Sequence, residues 1–154
     1  MRARTGPHAH HVAALMDETR PRALEVYVGN FGGPSYGIWW DGSRLVYESF
    51  LPGYEERRQA FLVPSSAQWR RFWQTMDRID VWAWNGRYEP APRFEPPEQV
   101  RDGTHWSLTL ACGDRSVQSS GDSRGPDSTD LDDSGPFGEL VGALSRLAGG
   151  HPFG

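Results

Sequence analysis

Residues 35–50 read SYGIWWDGSRLVYESF, and the fold turns on how they are read. Asp41-Gly42 is a pair favoured in tight hairpin turns, because both residues tolerate positive φ. The runs on either side are rich in aromatic and β-branched side chains, which suit a pleated, half-buried surface. The stretch therefore predicts an antiparallel hairpin. Just upstream, ALEVYVG alternates Leu24, Val26 and Val28 with Glu25 and Tyr27, the period of a strand with one buried face. The loop GNFGGP joins the two. Downstream, PGYEERR breaks the pattern and RQAFLV resumes it as a further strand.

The next signal has a different period. In PSSAQWRRFWQTMDRI, Ser65 followed by Gln68 makes a capping-box pattern, in which hydroxyl and amide each satisfy an orphan backbone N–H. Trp69, Phe72, Trp73, Met76 and Ile79 then recur at helical spacing. DVWAWNGRY predicts a short strand and turn, with Trp82 and Trp84 on one side. EPAPRFEPPEQVRDG holds four prolines, too many for a helix interior or a central strand. THWSLTLACGDRSVQSS predicts a second hairpin, with Cys112 to Asp114 at its turn. In PFGELVGALSRLAGG, Phe137, Leu140, Val141, Leu144 and Leu147 form one stripe of a terminal helix, with Pro136 in its first turn. Strands arriving in hairpins predict an α+β domain: an antiparallel β-sheet with two main helices packed on one face. Residues 1–22 read as a tail, 23–150 as one domain, and 151–154 as a second, short tail.

Bulk composition sets limits on function. The chain has 154 residues, enough for one domain with a sizeable core. Its single cysteine, Cys112, permits no intrachain disulfide. No apolar run approaches a membrane span of about 20 residues, and no signal-peptide core is present, so the expected location is the cytoplasm. Net charge is −4, distributed as +2 over residues 1–78 and −6 over residues 79–154. Every basic residue other than histidine is arginine. An acidic chain lacks the electrostatic footprint of a general nucleic-acid binder.

Motifs for chemistry are weak. GDSRGP, residues 121–126, is one residue from the GDSGGP of chymotrypsin-like proteases, but Arg124 replaces a glycine and no upstream histidine motif accompanies it. A turn built from Gly, Asp, Ser and Pro explains it better. Asp127, Asp130, Asp132 and Asp133 do not have calcium-loop spacing. With Ser134 they suit the cap of the following helix. His8, His10 and His11 lie in the tail, which gives a metal no fixed geometry. Cys112 has Asp114 close by, and a carboxylate raises a thiol pKa without activating it. His105 reads as a surface or packed strand residue. No cofactor or metal is expected. The candidate binding residues are instead Trp82, Trp84, Arg87, Tyr88, Asp102, Trp106, Asp122 and Arg124, because Trp, Tyr and Arg dominate binding hot spots. The competing reading is that these tryptophans fill the layer between sheet and helices.

The order of short tokens from Trp69 to Leu147 carries a resemblance: a W..F helix, VWAW...Y, DGTHWSL, the GDSRGP turn and a terminal helix. It resembles a loosely defined set of small uncharacterised bacterial proteins, in which Asn usually stands at the position of Ser123. The resemblance implies no established activity. Toxin-immunity proteins are an analogy of size and class. The expectation is a non-enzymatic cytoplasmic domain that binds another protein, with an immunity or defence-accessory role. The alternatives are a small-molecule binder or enzyme with a site near Trp84, Tyr88, Asp102 and the 121–126 turn, and a structural subunit of a larger assembly.

Overall fold

A computed structural model describes residues 18–30, 32–51, 56–88, 104–122, 125–126 and 135–154. Six strands form one antiparallel sheet: β1 (Ala23–Asn30), β2 (Ser35–Trp40), β3 (Leu45–Leu51), β4 (Glu56–Leu62), β5 (Thr104–Cys112) and β6 (Arg115–Asp122). Their spatial order is β4-β3-β2-β1-β5-β6. Two helices, α1 (Ser66–Arg78) and α2 (Pro136–Leu147), cover one face. The architecture is the expected α+β one, an antiparallel sheet with two helices.

Period-2 patterning explains which face is covered. Leu24, Val26 and Val28 of β1 lie opposite Leu110, Leu108 and Trp106 of β5, and all six are buried. Ile38, Leu45 and Tyr47 extend this inner layer across β2 and β3. Trp69, Phe72, Trp73 and Met76 of α1 fill the space above it, and Leu140, Ala143, Leu144 and Leu147 of α2 complete the core. The capping box forms as the sequence predicts: Gln68 N–H donates to Ser65 Oγ at 3.1 Å, and Ser65 N–H to Gln68 Oε1 at 2.8 Å. Arg78 at the end of α1 pairs with Glu139 in the first turn of α2. The indole N–H of Trp69 has no hydrogen-bond partner among the described residues.

The hairpins form, with different turn chemistry. Only Gly42 takes positive φ (103°) in the first connection. That connection is a four-residue loop closed by Asp41, whose Oδ1 accepts from Ser43 N–H at 2.9 Å and Arg44 N–H at 2.7 Å. These backbone donors hold the Asp41 carboxyl below its usual pKa. In the second hairpin Cys112 ends β5, and Gly113 (φ 61°) with Asp114 makes the turn.

Four expectations need correction. Residues 81–83 form a short 3-10 helix, Val81–Ala83, and not a strand. The cause is Asp80, which adopts a left-handed conformation (φ 56°) and folds the chain back at the end of α1. The N-cap of α2 is Gly135 rather than Ser134, with no side-chain cap bond. Residues 18–22 are not tail: Thr19 C=O accepts from the Trp73 indole at 2.6 Å, and Arg22 N–H donates to Ala111 C=O at 2.7 Å. Residues 151–154 are not tail either. Phe153 is 2% exposed, and the Tyr47 hydroxyl donates to Pro152 C=O at 2.5 Å. The readings placed on residues 1–17 and 127–134 lie outside the described residues.

Candidate functional site

The expected binding residues separate into three groups. Trp84 (9% exposed) and Trp106 (2% exposed) are core residues. Trp106 meets Trp84 edge-on at 5.8 Å, Tyr88 at 6.1 Å and Phe137 of α2 at 5.2 Å. The Trp84 indole N–H donates to Ile79 C=O at 3.2 Å, which satisfies it at the end of α1. The 3-10 turn sends Trp82 elsewhere. Its ring stacks on Trp73 at 6.0 Å, and its N–H donates to Asp77 Oδ1 at 2.8 Å. Trp82 and Trp84 thus build no common platform. Asp102 and Arg124 lie outside the described residues.

Arg87, Tyr88 and Asp122 meet at the β6 edge. Tyr88 N–H donates to Ser120 C=O at 2.8 Å, Ser120 N–H to Gly86 C=O at 3.1 Å, and Asp122 N–H to Tyr88 C=O at 3.2 Å. These bonds cover part of an edge that would otherwise present unpaired backbone. Asp122 then takes Arg87 on one oxygen at 3.2 Å and His105 Nδ1 on the other at 2.7 Å. A carboxylate that orients an imidazole is half of a general-base device. Among the described residues no hydroxyl or thiol hydrogen-bonds to His105.

Arginine stacking falls on a residue that the sequence did not single out. Arg115 lies over the Trp82 ring at 4.6 Å and reaches Asp77 at 2.6 Å. Nothing local in the sequence signals this contact, because 38 residues separate Arg115 from Asp77.

Cys112 is buried, and burial pushes its thiol up from an ordinary pKa of 9.0. The guanidinium groups of Arg115 and Arg22 pull against this more weakly, and Asp77, rather than Asp114, is the carboxylate that adds to it. A thiol raised in the folded state favours folding below its unfolded pKa, and that contribution fades as pH rises through the folded value. Two outcomes are expected. A thiol reagent at pH 8 reacts at least about tenfold more slowly with folded than with urea-unfolded protein. Cys112→Ala flattens part of the fall in stability that sets in as pH rises past about 9, the ordinary thiol value. Fast labelling of the folded chain contradicts this reading of Cys112.

The face of the sheet that no described helix covers was missed by sequence reasoning. Glu25 and Tyr27 of β1, Trp39 of β2, Val46, Glu48 and Phe50 of β3, and Arg57 and Phe61 of β4 all share it by register. Tyr27 is 47% exposed and Phe61 52%. A groove of about 260 Å³ runs across it over Gly37. The signal was present as the outward positions of each alternating strand, Tyr27 among them, but Trp39 and Phe61 are apolar enough to pass for core. A second hollow, about 240 Å³, lies on the covered side between Tyr36, Tyr47, Arg58 and His151. Both are smaller than the roughly 300–1,000 Å³ of drug-sized ligand pockets. No group of three potential metal ligands occurs among the described residues, and no described helix is long and apolar enough to cross a membrane. No protein-family model matches this chain, and no curated protein matches it.

Proposed function

We propose that this chain is a non-enzymatic, cytoplasmic protein-binding domain that engages its partner with the face of the sheet that no described helix covers. The observation that carries this reading is the set of exposed large aromatics there. Tyr27 and Phe61 are half exposed, and Trp39 and Phe50 are partly so, on a face to which no described helix is joined by packing. Exposed aromatics framed by charged residues are the composition of interface hot spots. The aromatic hot spot expected at Trp82, Trp84 and Trp106 moves to the opposite side of the sheet, since Trp84 and Trp106 serve the core.

The chain's net charge of −4 favours a basic partner, because complementary charge speeds encounter and rejects wrong partners. An immunity or defence-accessory role, in which an acidic protein neutralises a basic toxin, is the use we favour. Affinity capture from native lysate tests the reading. The wild type is expected to retain one stoichiometric partner, and Tyr27→Lys with Phe61→Lys to lose it while keeping its folded circular dichroism. A wild type that is isolated alone refutes the protein-binding reading, and equal capture by the double variant refutes the face.

A further inference from the structure

Arginine, aromatic ring and carboxylate recur together in three places among the described residues. Arg115 lies over Trp82 and pairs with Asp77. Arg57 lies over Phe50 at 5.5 Å and pairs with Glu48 at 3.1 Å. Arg44 lies over Phe61 at 4.4 Å and pairs with Asp41 at 3.5 Å. In each, a planar guanidinium uses an aromatic face and an acid at once, which is where arginine differs from lysine.

The groove over Gly37 holds the aromatic ring and the carboxylate of such a set without an arginine of their own. Glu25 lies directly opposite Trp39 in the β1–β2 register, and Tyr27 lies opposite Gly37. Gly37 in turn lies opposite Glu48. The missing side chain at Gly37 makes the floor, and the Trp39 ring flanks it. Glu25 is exposed and has no ion pair with any described residue. Glu48 already binds Arg57, so the two acids and one arginine leave the groove with one negative charge. Its volume, about 260 Å³, suits one long side chain better than a cofactor.

We infer that this groove receives an arginine side chain of a basic partner protein, with the guanidinium against the Trp39 ring and paired to Glu25. The inference rests on the protein-binding reading above and specifies what that face recognises. It also explains why a glycine occupies the middle of β2, where it otherwise weakens a strand.

The test separates the site from the partner. The ¹⁵N-labelled full chain is titrated with N-acetyl-arginine amide, N-acetyl-lysine amide and N-acetyl-norleucine amide at low salt. The arginine probe is expected to shift the Gly37 amide and the Trp39 indole N–H saturably, with a Kd in the millimolar range typical of one cation–π contact and one exposed ion pair. Glu25→Gln is expected to weaken it about threefold, within the reach of one exposed pair. Gly37→Ala is expected to abolish it with an unchanged or higher Tm, because an added Cβ meets Trp39 only at an ordinary 3.7 Å. Equal shifts with the norleucine probe, equal affinity for the lysine probe, or unchanged binding in Gly37→Ala each overturn the inference. Arginine binding by a chain that captures no partner retains the site and removes the protein-binding reading. A captured partner that ignores Glu25→Gln and Gly37→Ala retains that reading and removes the site.

Discussion

Deleting residues 151–154 is expected to destabilise the fold by about 3–5 kcal/mol, the usual cost of emptying a buried Phe site. Three contacts go together. Phe153 is lost from the core, where it packs against Tyr36 at 5.9 Å. His151 no longer stacks on Tyr47 at 4.9 Å. The Tyr47 hydroxyl, which lies on a buried side chain, loses its acceptor at Pro152. For a domain of this length the change corresponds to a fall in Tm of roughly 10 °C or more. Phe153→Ala alone should reproduce most of it, because the cavity dominates the two polar and stacking losses. Thermal unfolding of the two variants checks this. A truncated chain that melts within about 2 °C of the full one makes the C-terminal residues the accessory tail their sequence suggested.

Trp106→Ala is expected to cost as much, about 3–5 kcal/mol. Trp106 is the point where β5, the 3-10 segment and α2 meet, through Trp84, Tyr88 and Phe137. Trp106→Phe keeps most of the apolar volume and should cost less than half of that, with the near-ultraviolet dichroism retained. Urea unfolding measures both. If Trp106→Ala lost under about 1 kcal/mol, Trp106 would be a surface platform residue and the binding patch around Trp84 would regain support. The two large predictions are independent, because Phe153 and Trp106 pack against different partners at separate places on the inner face.

Asp122 illustrates how a site can be half legible. The sequence placed it near Arg87 and Tyr88 as part of one cluster, and the three do meet at the β6 edge. The sequence did not indicate that His105 joins them, although the β5–β6 register sets His105 directly opposite Asp122. A hairpin reading fixes which residues face one another only once the turn length is known, and the turn was read one residue too early. Trp82 and Trp84 were misplaced for a related reason. Two tryptophans two residues apart match a strand, but a left-handed Asp80 and a 3-10 turn give the same spacing with divergent side chains.

The sequence by itself determined the strands of both hairpins, the two helices, and the buried side of β1 and of each helix. Alternation in residues 23–29, the strands either side of Asp41-Gly42 and the helical stripe from Trp69 to Ile79 are local patterns, and burial of apolar surface enforces them wherever the chain goes. The capping box was equally legible, because both of its bonds close within four residues. Only the tertiary structure decided that β1 pairs with β5 and that Phe153 returns to the core. It also decided that Arg115 covers Trp82 and that the outward aromatics of three strands, Tyr27, Trp39 and Phe50, line the groove over Gly37. These contacts join residues tens of positions apart. Their geometry follows from strand order and register, which a pattern of period two constrains to a face but never to a neighbour.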